Sequence, residues 1–317
     1  MARKVKNTVI LAKIEAVNGT AVVPAATDAL QISEASFDLD YRNVERNLIR
    51  AGMGHGGTLV GSRSVKIDFT CELFASGTAG TAPPWGRLLL ACAMAEVITA
   101  GSRVEYTPVS TGFKSLTIHY HMDGVTHVAV GCMGTVTFSE PEGDRPTLKF
   151  SFVGADGGPV EAALPATTLT DWKTPEVVNI QNTGKLKLGG TYATGAITGG
   201  TEYCSRGLEI NLANDSKYIR LLGCEGADIS DRKPTGKYEI EVSAAQEIAM
   251  RAEINANTPT SVSLLHGSAA GKRVLVHVPR AVRLNPTYSE FEGIALFAND
   301  FNAEPVVTND ELRIVCL

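Results

Sequence analysis

Three histidines near the middle of the chain have side chains that could bind a metal ion. His119 and His121 lie on one face of a predicted strand, and His127 follows a hairpin turn predicted at Asp123-Gly124. Three imidazoles can hold zinc while a water molecule takes the fourth position. No acidic residue is placed beside them to orient the rings, however, and histidines on a solvated strand face are the simpler interpretation. We therefore predict no metal site.

A glycine-rich run, Gly52–Gly57 (GMGHGG), matches the GxGxxG pattern of dinucleotide-binding loops. In those loops a strand precedes the pattern and a helix follows it, so that the pyrophosphate lies at the helix N-terminus. The run here is followed by TLVGSRSVKIDFT, whose alternation of apolar and polar residues predicts a strand. The glycines are therefore interpreted as loop residues, and no nucleotide or other cofactor is predicted.

Other catalytic and binding patterns are missing from the sequence. No GxSxG sequence provides a nucleophile elbow, and the carboxylates are dispersed rather than paired on one element. A net charge of −5 and an aromatic content of 6% offer no basic surface or stacking platform of the kind that binds nucleic acid. These features favour a structural or binding protein over an enzyme.

The composition is that of an ordinary globular protein, with 44% hydrophobic and 20% charged residues. Its 317 residues fit two domains better than one. No apolar run reaches the roughly 20 residues that cross a bilayer, and Lys13 and Glu15 interrupt the apolar N-terminal segment too early for a signal peptide. The six cysteines have no CxxC spacing, which favours buried thiols in a reducing compartment.

An internal repeat organises the chain. The strand–loop–strand segment Phe37–Cys71 has a weak counterpart in Leu208–Val242, about 170 positions later. In each copy an alternating strand leads to an Ile-Arg pair, a glycine-rich turn, an arginine and a second alternating strand. We therefore predict two tandem domains, 1–165 and 180–317, joined by a Pro/Thr-rich linker at 166–179.

The predicted elements are mainly strands. Two helices are expected, Pro84–Val97 in the first half and Ala244–Ile254 in the second. The second half repeats the strand order with about 25 fewer residues, and we place the surplus in the SGTAGTAPPW loop and the longer first helix. The fold class is therefore mainly β (α+β): two tandem β-sandwich domains, each with one flanking helix. Besides the strands of the repeat itself, strands are expected at Thr8–Val17, Arg103–Pro108, Lys114–Met122, Thr126–Cys132, Thr135–Ser139, Thr147–Val153, Ser261–His266, Arg273–Pro279, Ala281–Leu284, Gly293–Ala298 and Leu312–Leu317.

Several stretches together resemble the tail tube (major tail) proteins of long-tailed bacteriophages. They are NTVILAKIEAVNGTAVVPAATDAL, VERNLIRAGMGHGGTLVGSRSVKIDF, SGTAGTAPPWGRLLLACAMAEVI, VEYTPVS and the Asp-Gly turn before VGCMGTV. The resemblance covers residues 7–155 well, and the SGTAGTxPxWGxLL run is its most specific part. Over residues 180–317 it is carried by DRKPTG and by the strand order. The match is closer to the non-contractile (siphophage) group, although both kinds of tail have homologous tubes.

The resemblance implies a β-sandwich with a flanking helix that assembles into rings, which stack into a hollow virion tail tube. Each domain would give strands to an inter-subunit β-barrel, and a ring normally contains six such domains. Two tail-tube domains per chain then predict a homotrimeric ring with pseudo-sixfold symmetry. Besides further copies of the chain, the implied partners are the tape measure protein in the lumen and the tail terminator and distal tail proteins at the tube ends. Double-stranded DNA would pass through during ejection into the host, and assembly would take place in the host cytoplasm.

The long loop between the first two strands of the repeat would contact the neighbouring ring. It has about twenty residues, whereas hairpin loops usually have about two to five, and such long loops are often functional. We expect its cations to face acidic patches such as the one around Glu140–Asp144, and the lumen to be neutral to acidic so that it repels phosphates. The residues predicted at this inter-ring interface are Arg42, Arg46, Arg50, His55, Arg63, Arg220 and Arg232.

A β-sandwich tail protein that binds a receptor or a carbohydrate is the alternative interpretation. Such a protein would need an exposed cluster of aromatic side chains. The two tryptophans, Trp85 and Trp172, are far apart in sequence, and Trp85 is expected at the start of a helix.

Overall fold

The computed structural model describes residues 3–317. Strands dominate both halves of the chain, and each half also has one α-helix. In the first half the elements are β1 (Thr8–Ile14), β2 (Ile32–Glu45), β3 (Thr58–Glu72), α1 (Gly86–Leu90), β4 (Met94–Thr99), β5 (Arg103–Pro108), β6 (Leu116–Met122), β7 (Val125–Pro141) and β8 (Thr147–Glu161).

The second half is built in the same way, with an additional small hairpin. Its elements are β9 (Leu186–Leu188), β10 (Thr191–Ala193), β11 (Ala196–Thr198), β12 (Thr201–Tyr203), β13 (Ser205–Asn211), β14 (Asn214–Leu221), β15 (Cys224–Arg232), β16 (Thr235–Ile240), α2 (Ala244–Asn255), β17 (Thr260–His266), β18 (Val274–Phe291), β19 (Ile294–Ala303) and β20 (Arg313–Cys316). The mainly β fold class is confirmed.

The predicted first helix is wrong beyond its first turns. Within the predicted run Pro84–Val97 only α1 is helical. The helix cannot continue, because Ala93 adopts a left-handed conformation with φ 56°. The following residues, including the β-branched Val97 and Ile98, form the edge strand β4 instead. The apolar run that predicted a buried helix is therefore a short helix followed by a strand.

The second helix is confirmed, and its start has a clear local cause. Ser243 accepts a hydrogen bond from the backbone N–H of Gln246, and the Gln246 side chain accepts one from the Ser243 backbone, which together form a capping box. At twelve residues α2 is longer than the five-residue α1. The surplus of the first half consequently lies in the SGTAGTAPPW loop and the β4–β5 hairpin, and the expected longer first helix is wrong.

The two halves have the same strand pairing. In the first half the pairs β1·β6, β6·β7, β7·β8, β8·β3 and β3·β2 are all antiparallel. In the second half β9·β17, β17·β18, β18·β19, β19·β16 and β16·β13 follow the same order and are also antiparallel. This order, rather than residue identity, carries the internal repeat over most of its length.

One short stretch also repeats in sequence. The segment TFSEPEG (137–143) ends β7 and turns into β8, and TYSEFEG (287–293) ends β18 and turns into β19. The turn glycines have nearly the same conformation, with φ 82° at Gly143 and 83° at Gly293. Equivalent positions of this segment therefore lie 150 residues apart, from Thr137 to Thr287.

Strand pairing joins the two halves into one large sheet of sixteen strands. β13 of the second half pairs with β7 of the first, and β20 pairs with β5. Most of the buried apolar side chains form one cluster that extends from Ile10 in β1 to Cys316 in β20. The segment between the halves is also packed: Trp172 is buried, and its indole N–H donates to the Ala29 carbonyl at 3.1 Å.

Candidate assembly interface

β13 of the second half pairs with β7 of the first half, and this contact between the halves is called the internal junction. Ile210 lies opposite Phe138 and Leu208 lies opposite Glu140. Ile210 and Phe138 are only 1% and 2% exposed. Because each side chain covers the other, the junction removes from water an apolar row that neither half could cover alone.

Glu140 is an unusual residue to find in this row. Its side chain is buried, and neither carboxylate oxygen has a hydrogen-bond partner. Burial without a compensating charge raises the pKa of this carboxyl from 4.5 to about 8. Glu140 therefore cannot form part of an exposed acidic patch, whereas its neighbours Glu142 and Asp144 are exposed.

The hairpin β14–β15 also contacts the first half and adds to the contact made by β13 and β7. The buried Asn214 amide donates to the carbonyls of Cys92 and Gly134 at 2.8 and 2.9 Å. Ile229 packs in a small apolar cluster with Ala93 and Met133. The hairpin is thus held on the first half by both polar and apolar contacts.

Two of the predicted interface arginines belong to this hairpin and are engaged within the chain. Arg220 donates to the Asp40 carboxylate at 3.1 Å and to the Ser64 hydroxyl at 2.7 Å. Arg232 is largely buried, where it donates to the Glu311 carboxylate at 2.5 Å and the Val109 carbonyl at 2.8 Å. Both arginines therefore contribute to the contact between the two halves of one chain.

The other predicted interface residues lie on the β2–β3 hairpin and are exposed. Its tip is closed by the Arg46 backbone N–H, which donates to the Gly57 carbonyl at 2.9 Å, and by Arg50, which donates to the Gly56 carbonyl at 3.1 Å. The hairpin also exposes large apolar side chains, with Ile49 and Met53 fully accessible. The five predicted interface residues on this hairpin are Arg42, Arg46, Arg50, His55 and Arg63.

The part of the large sheet that runs from β18 through β13 and β7 to β2 is called here the inner sheet, and within residues 3–317 it has an unoccupied edge at each end. Among residues 3–317, β2 pairs only with β3, so its other side offers free backbone N–H and C=O groups. The last residues of β18, Thr287–Phe291, pair only with β19 in the described part of the chain. Sequence reasoning missed both edges, because an edge depends on which strands pair and not on the pattern of any one strand.

One face of the sheet from β18 to β2 is polar. Along it lie the charged pairs Lys66–Asp68 at 3.1 Å and Lys237–Glu209 at 3.2 Å, as well as Asp300, which is opposite Lys237. The opposite face carries the apolar core. The polar face therefore has paired charges of both signs and no continuous cationic strip.

The histidines lie on β6 and β7, and the glycine-rich run lies in the β2–β3 hairpin. His121 shares a 2.6 Å hydrogen bond with Thr126, and His127 lies against the ring of Phe37 at 5.0 Å. Within residues 3–317 no three ligand-type side chains are grouped as a metal site would require. Gly52–Gly57 is part of the exposed β2–β3 hairpin and leads into β3, so the run lacks the helix that a dinucleotide site needs.

The remaining sequence expectations concern exposed aromatics, thiols and membrane spans. Trp85 and Trp172 are both buried, so neither indole offers a surface for binding sugars. All six cysteines are unpaired; Cys204 and Cys224 are exposed and the other four are buried. In the part of the chain that the structure describes, the helices are too short to cross a membrane.

Comparison with known families agrees with this architecture. Residues 6–306 match the sequence model of the family described as phage tail tube protein. No curated protein matches the sequence significantly. Because the family match spans nearly the whole chain, from β1 into the last turn before β20, both halves are included. The chain therefore belongs to the phage tail tube protein family, as a structural component of the tail.

Proposed function

We propose that three copies of this chain close into a ring, and that such rings stack into the hollow tube through which phage DNA leaves the virion. The observation that carries the proposal is the repeated strand order within one chain. Each half supplies four strands to the inner sheet, namely β7, β8, β3 and β2 from the first and β18, β19, β16 and β13 from the second. Two tail-tube domains, 1–165 and 180–317, would thus make each chain equivalent to two positions of a six-part ring.

The polar face of the inner sheet would line the bore. Its cross-strand ion pairs, such as Lys237 with Glu209, leave little free positive charge to hold phosphates. A wall of this kind lets a polyanion slide instead of binding it. The tape measure protein would occupy the same bore before DNA, and the tail terminator and distal tail proteins would cover the two ends of the tube. We further propose assembly in the host cytoplasm, followed by residence in the virion.

Stacking would depend on the exposed β2–β3 hairpin. Its arginines give the tip a positive charge, and Glu142 and Asp144 are exposed acidic side chains in the turn between β7 and β8. We propose that the hairpin of one ring contacts such acidic turns of the adjacent ring. Arg220 and Arg232 have partners in their own chain, so their proposed contribution is to position the surface and not to bridge rings.

Electron microscopy of the purified protein tests the ring and the tube. Negative staining should reveal hollow rods, and averaged end views should show threefold symmetry with six similar segments. Light scattering on the smallest assembled species should give three times the chain mass. Discrete monomers under all polymerising conditions, or end views with six separate chains, would contradict the proposal.

The inter-ring role of the hairpin is tested by reversing its charge. We expect the double variant Arg46→Glu/Arg50→Glu to fold and to form single rings, because both side chains are exposed, but not to stack. Sedimentation and microscopy measure the length of the rods. Lys185→Glu, which reverses the charge of an exposed side chain outside the hairpin and outside both sheet edges, is the matched control. Rods of normal length in the double variant would eliminate this role.

A further inference from the structure

The pairing of β7 with β13 joins the two halves of one chain. The equivalent strands, β18 and β2, are each free on the corresponding side within residues 3–317. β7 and β18 are equivalent strands, and the paired end of β7 corresponds residue by residue to the free end of β18. The segment TFSEPEG (137–143) matches TYSEFEG (287–293). In β7 this segment pairs with β13, whereas in β18 the same segment has only β19 beside it within residues 3–317.

The other side of the junction is repeated as well. β13 and β2 are equivalent, and Leu208–Asn211 (LEIN) corresponds to Phe37–Asp40 (FDLD). Both stretches alternate apolar and polar residues, and the apolar ones face the core, since Leu208 lies opposite Tyr238 and Phe37 lies opposite Ile67. A strand that is paired on both sides in the second half is therefore paired on one side in the first.

Burial supports the same correspondence. The pair Ile210 and Phe138, buried at the internal junction, corresponds to Leu39 and Tyr288. These two side chains are 52% and 59% exposed, although their counterparts are almost inaccessible. Leu39 and the ring of Tyr288 consequently have the exposure expected of a strand pair whose partner belongs to another molecule.

We propose that the contact between neighbouring chains repeats the internal junction: the free edge of β2 pairs antiparallel with Thr287–Phe291 of the next copy. The equivalences set the register, with Leu39 opposite Tyr288 and Asp38 opposite Ser289, as Ile210 is opposite Phe138 and Glu209 is opposite Ser139. This inference rests on the proposed ring and specifies its interface.

The geometry of such a contact leads to closure. It joins two different surfaces, so it is a head-to-tail contact, which generates a closed ring when successive rotations add up to a full turn. Since each contact would copy the one inside the chain, the rotation between chains would equal that between halves. Both open edges of the inner sheet are paired in the ring, which removes two sites where uncontrolled strand pairing could begin.

Cysteine cross-linking tests the register. In a background with Cys204→Ser and Cys224→Ser, we would introduce Asp38→Cys and Ser289→Cys. Opposite residues of antiparallel strands have Cα atoms about 4.5–5.5 Å apart, which suits a disulfide. Mild oxidation of assembled material should give covalent dimers and closed trimers on non-reducing denaturing gels, and the trimers should return to monomers on reduction.

Two matched pairs control this experiment. Glu209→Cys with Ser139→Cys occupies the same positions at the internal junction and should give a disulfide within one chain. Asp38→Cys with Phe291→Cys moves one cysteine by two residues along the same face and should cross-link several-fold less. If rings form but do not cross-link through Ser289→Cys, or cross-link more readily through Phe291→Cys, the proposed register is wrong. The proposed tube would not be contradicted by either result.

A second variant tests the edge without cysteines. We expect Leu39→Lys to preserve the fold, because the side chain is half exposed, and to abolish ring formation, because a charge would be buried at the contact. Val306→Lys places the same charge at an exposed apolar position between β19 and β20, outside both edge segments, and should assemble normally. Normal assembly of Leu39→Lys would overturn the proposed edge. Failure of the unmodified chain to form any ring would instead overturn the proposed function together with the edge.

Discussion

At the scale of single residues, Glu140 is a titratable group buried at the internal junction. A carboxyl that is buried without partners is favoured in its protonated form, and the pKa of about 8 reflects that cost. Between a pH of about 4.5 and a pH of about 8, this carboxyl is therefore protonated in the folded chain and ionised in the unfolded chain. Stability from this group is fully present below that range and is lost as the pH rises through 8.

Replacement by glutamine makes the effect measurable. Glu140→Gln cannot ionise, so we expect little change in the free energy of unfolding at pH 5 and a clear gain at pH 9 relative to the unmodified chain. Denaturant unfolding of the unassembled protein at several pH values measures the difference. Glu142→Gln, an exposed position two residues away, serves as the control and should leave the pH dependence unchanged. Parallel pH curves for Glu140→Gln and the unmodified chain would show that the carboxyl is not responsible.

At the scale of elements, one buried amide supplies two of the hydrogen bonds that hold the hairpin β14–β15 on the first half. Asn214 donates to two carbonyl groups of the first half, and removal of the amide would leave both without these partners. We expect Asn214→Ala to reduce the free energy of unfolding by roughly 1–3 kcal/mol, the usual cost of unsatisfied buried polar groups. Limited proteolysis should then cleave the hairpin first. Lys233→Ala, an exposed change on the same segment, should resemble the unmodified chain in both measurements.

Strand positions were predictable from the sequence wherever apolar and polar residues alternate. The pattern Arg103–Pro108 gives β5 at its observed bounds, and the Asp123-Gly124 turn between β6 and β7 is confirmed by φ angles of 40° and 90°. β7 and β18 were each predicted as two shorter strands, because bulges interrupt the alternation without ending the strand. The helix predicted over Pro84–Val97 was too long, since helix propensity does not register the left-handed Ala93.

The candidate interface was less accessible to sequence reasoning. Counting arginines identified the exposed β2–β3 hairpin, but the same reasoning included Arg232, which the fold buries beside Glu311. The repeat of TFSEPEG as TYSEFEG is visible in the amino-acid sequence, yet its significance follows only from the pairing of β7 with β13. Sequence patterns describe one strand at a time, whereas an interface depends on which edges remain unpaired.

At the scale of the whole molecule, the two halves behave as one body because two strand pairings and one core join them. We therefore expect a chain cut between the halves to remain associated. A protease site inserted between Ala166 and Thr167, in an exposed stretch, allows the cut to be made after folding. The fragments should elute together in size-exclusion chromatography and separate only in denaturant. Separation in native buffer would mean that the halves are independent domains connected by a tether.

The β4–β5 hairpin is a departure from the internal repeat, and it joins the rest of the large sheet through the pairing of β5 with β20. No equivalent hairpin lies between α2 and β17. In the proposed ring the bore would therefore look nearly the same six times per turn, while the exterior would repeat only three times. Any protein or ligand that binds the outside of the tube through this hairpin would then bind with a stoichiometry of three per ring. The three hairpins would also reduce the symmetry of the exterior from sixfold to threefold, so that the orientation of a ring about the tube axis could be distinguished in steps of 120° and not of 60°.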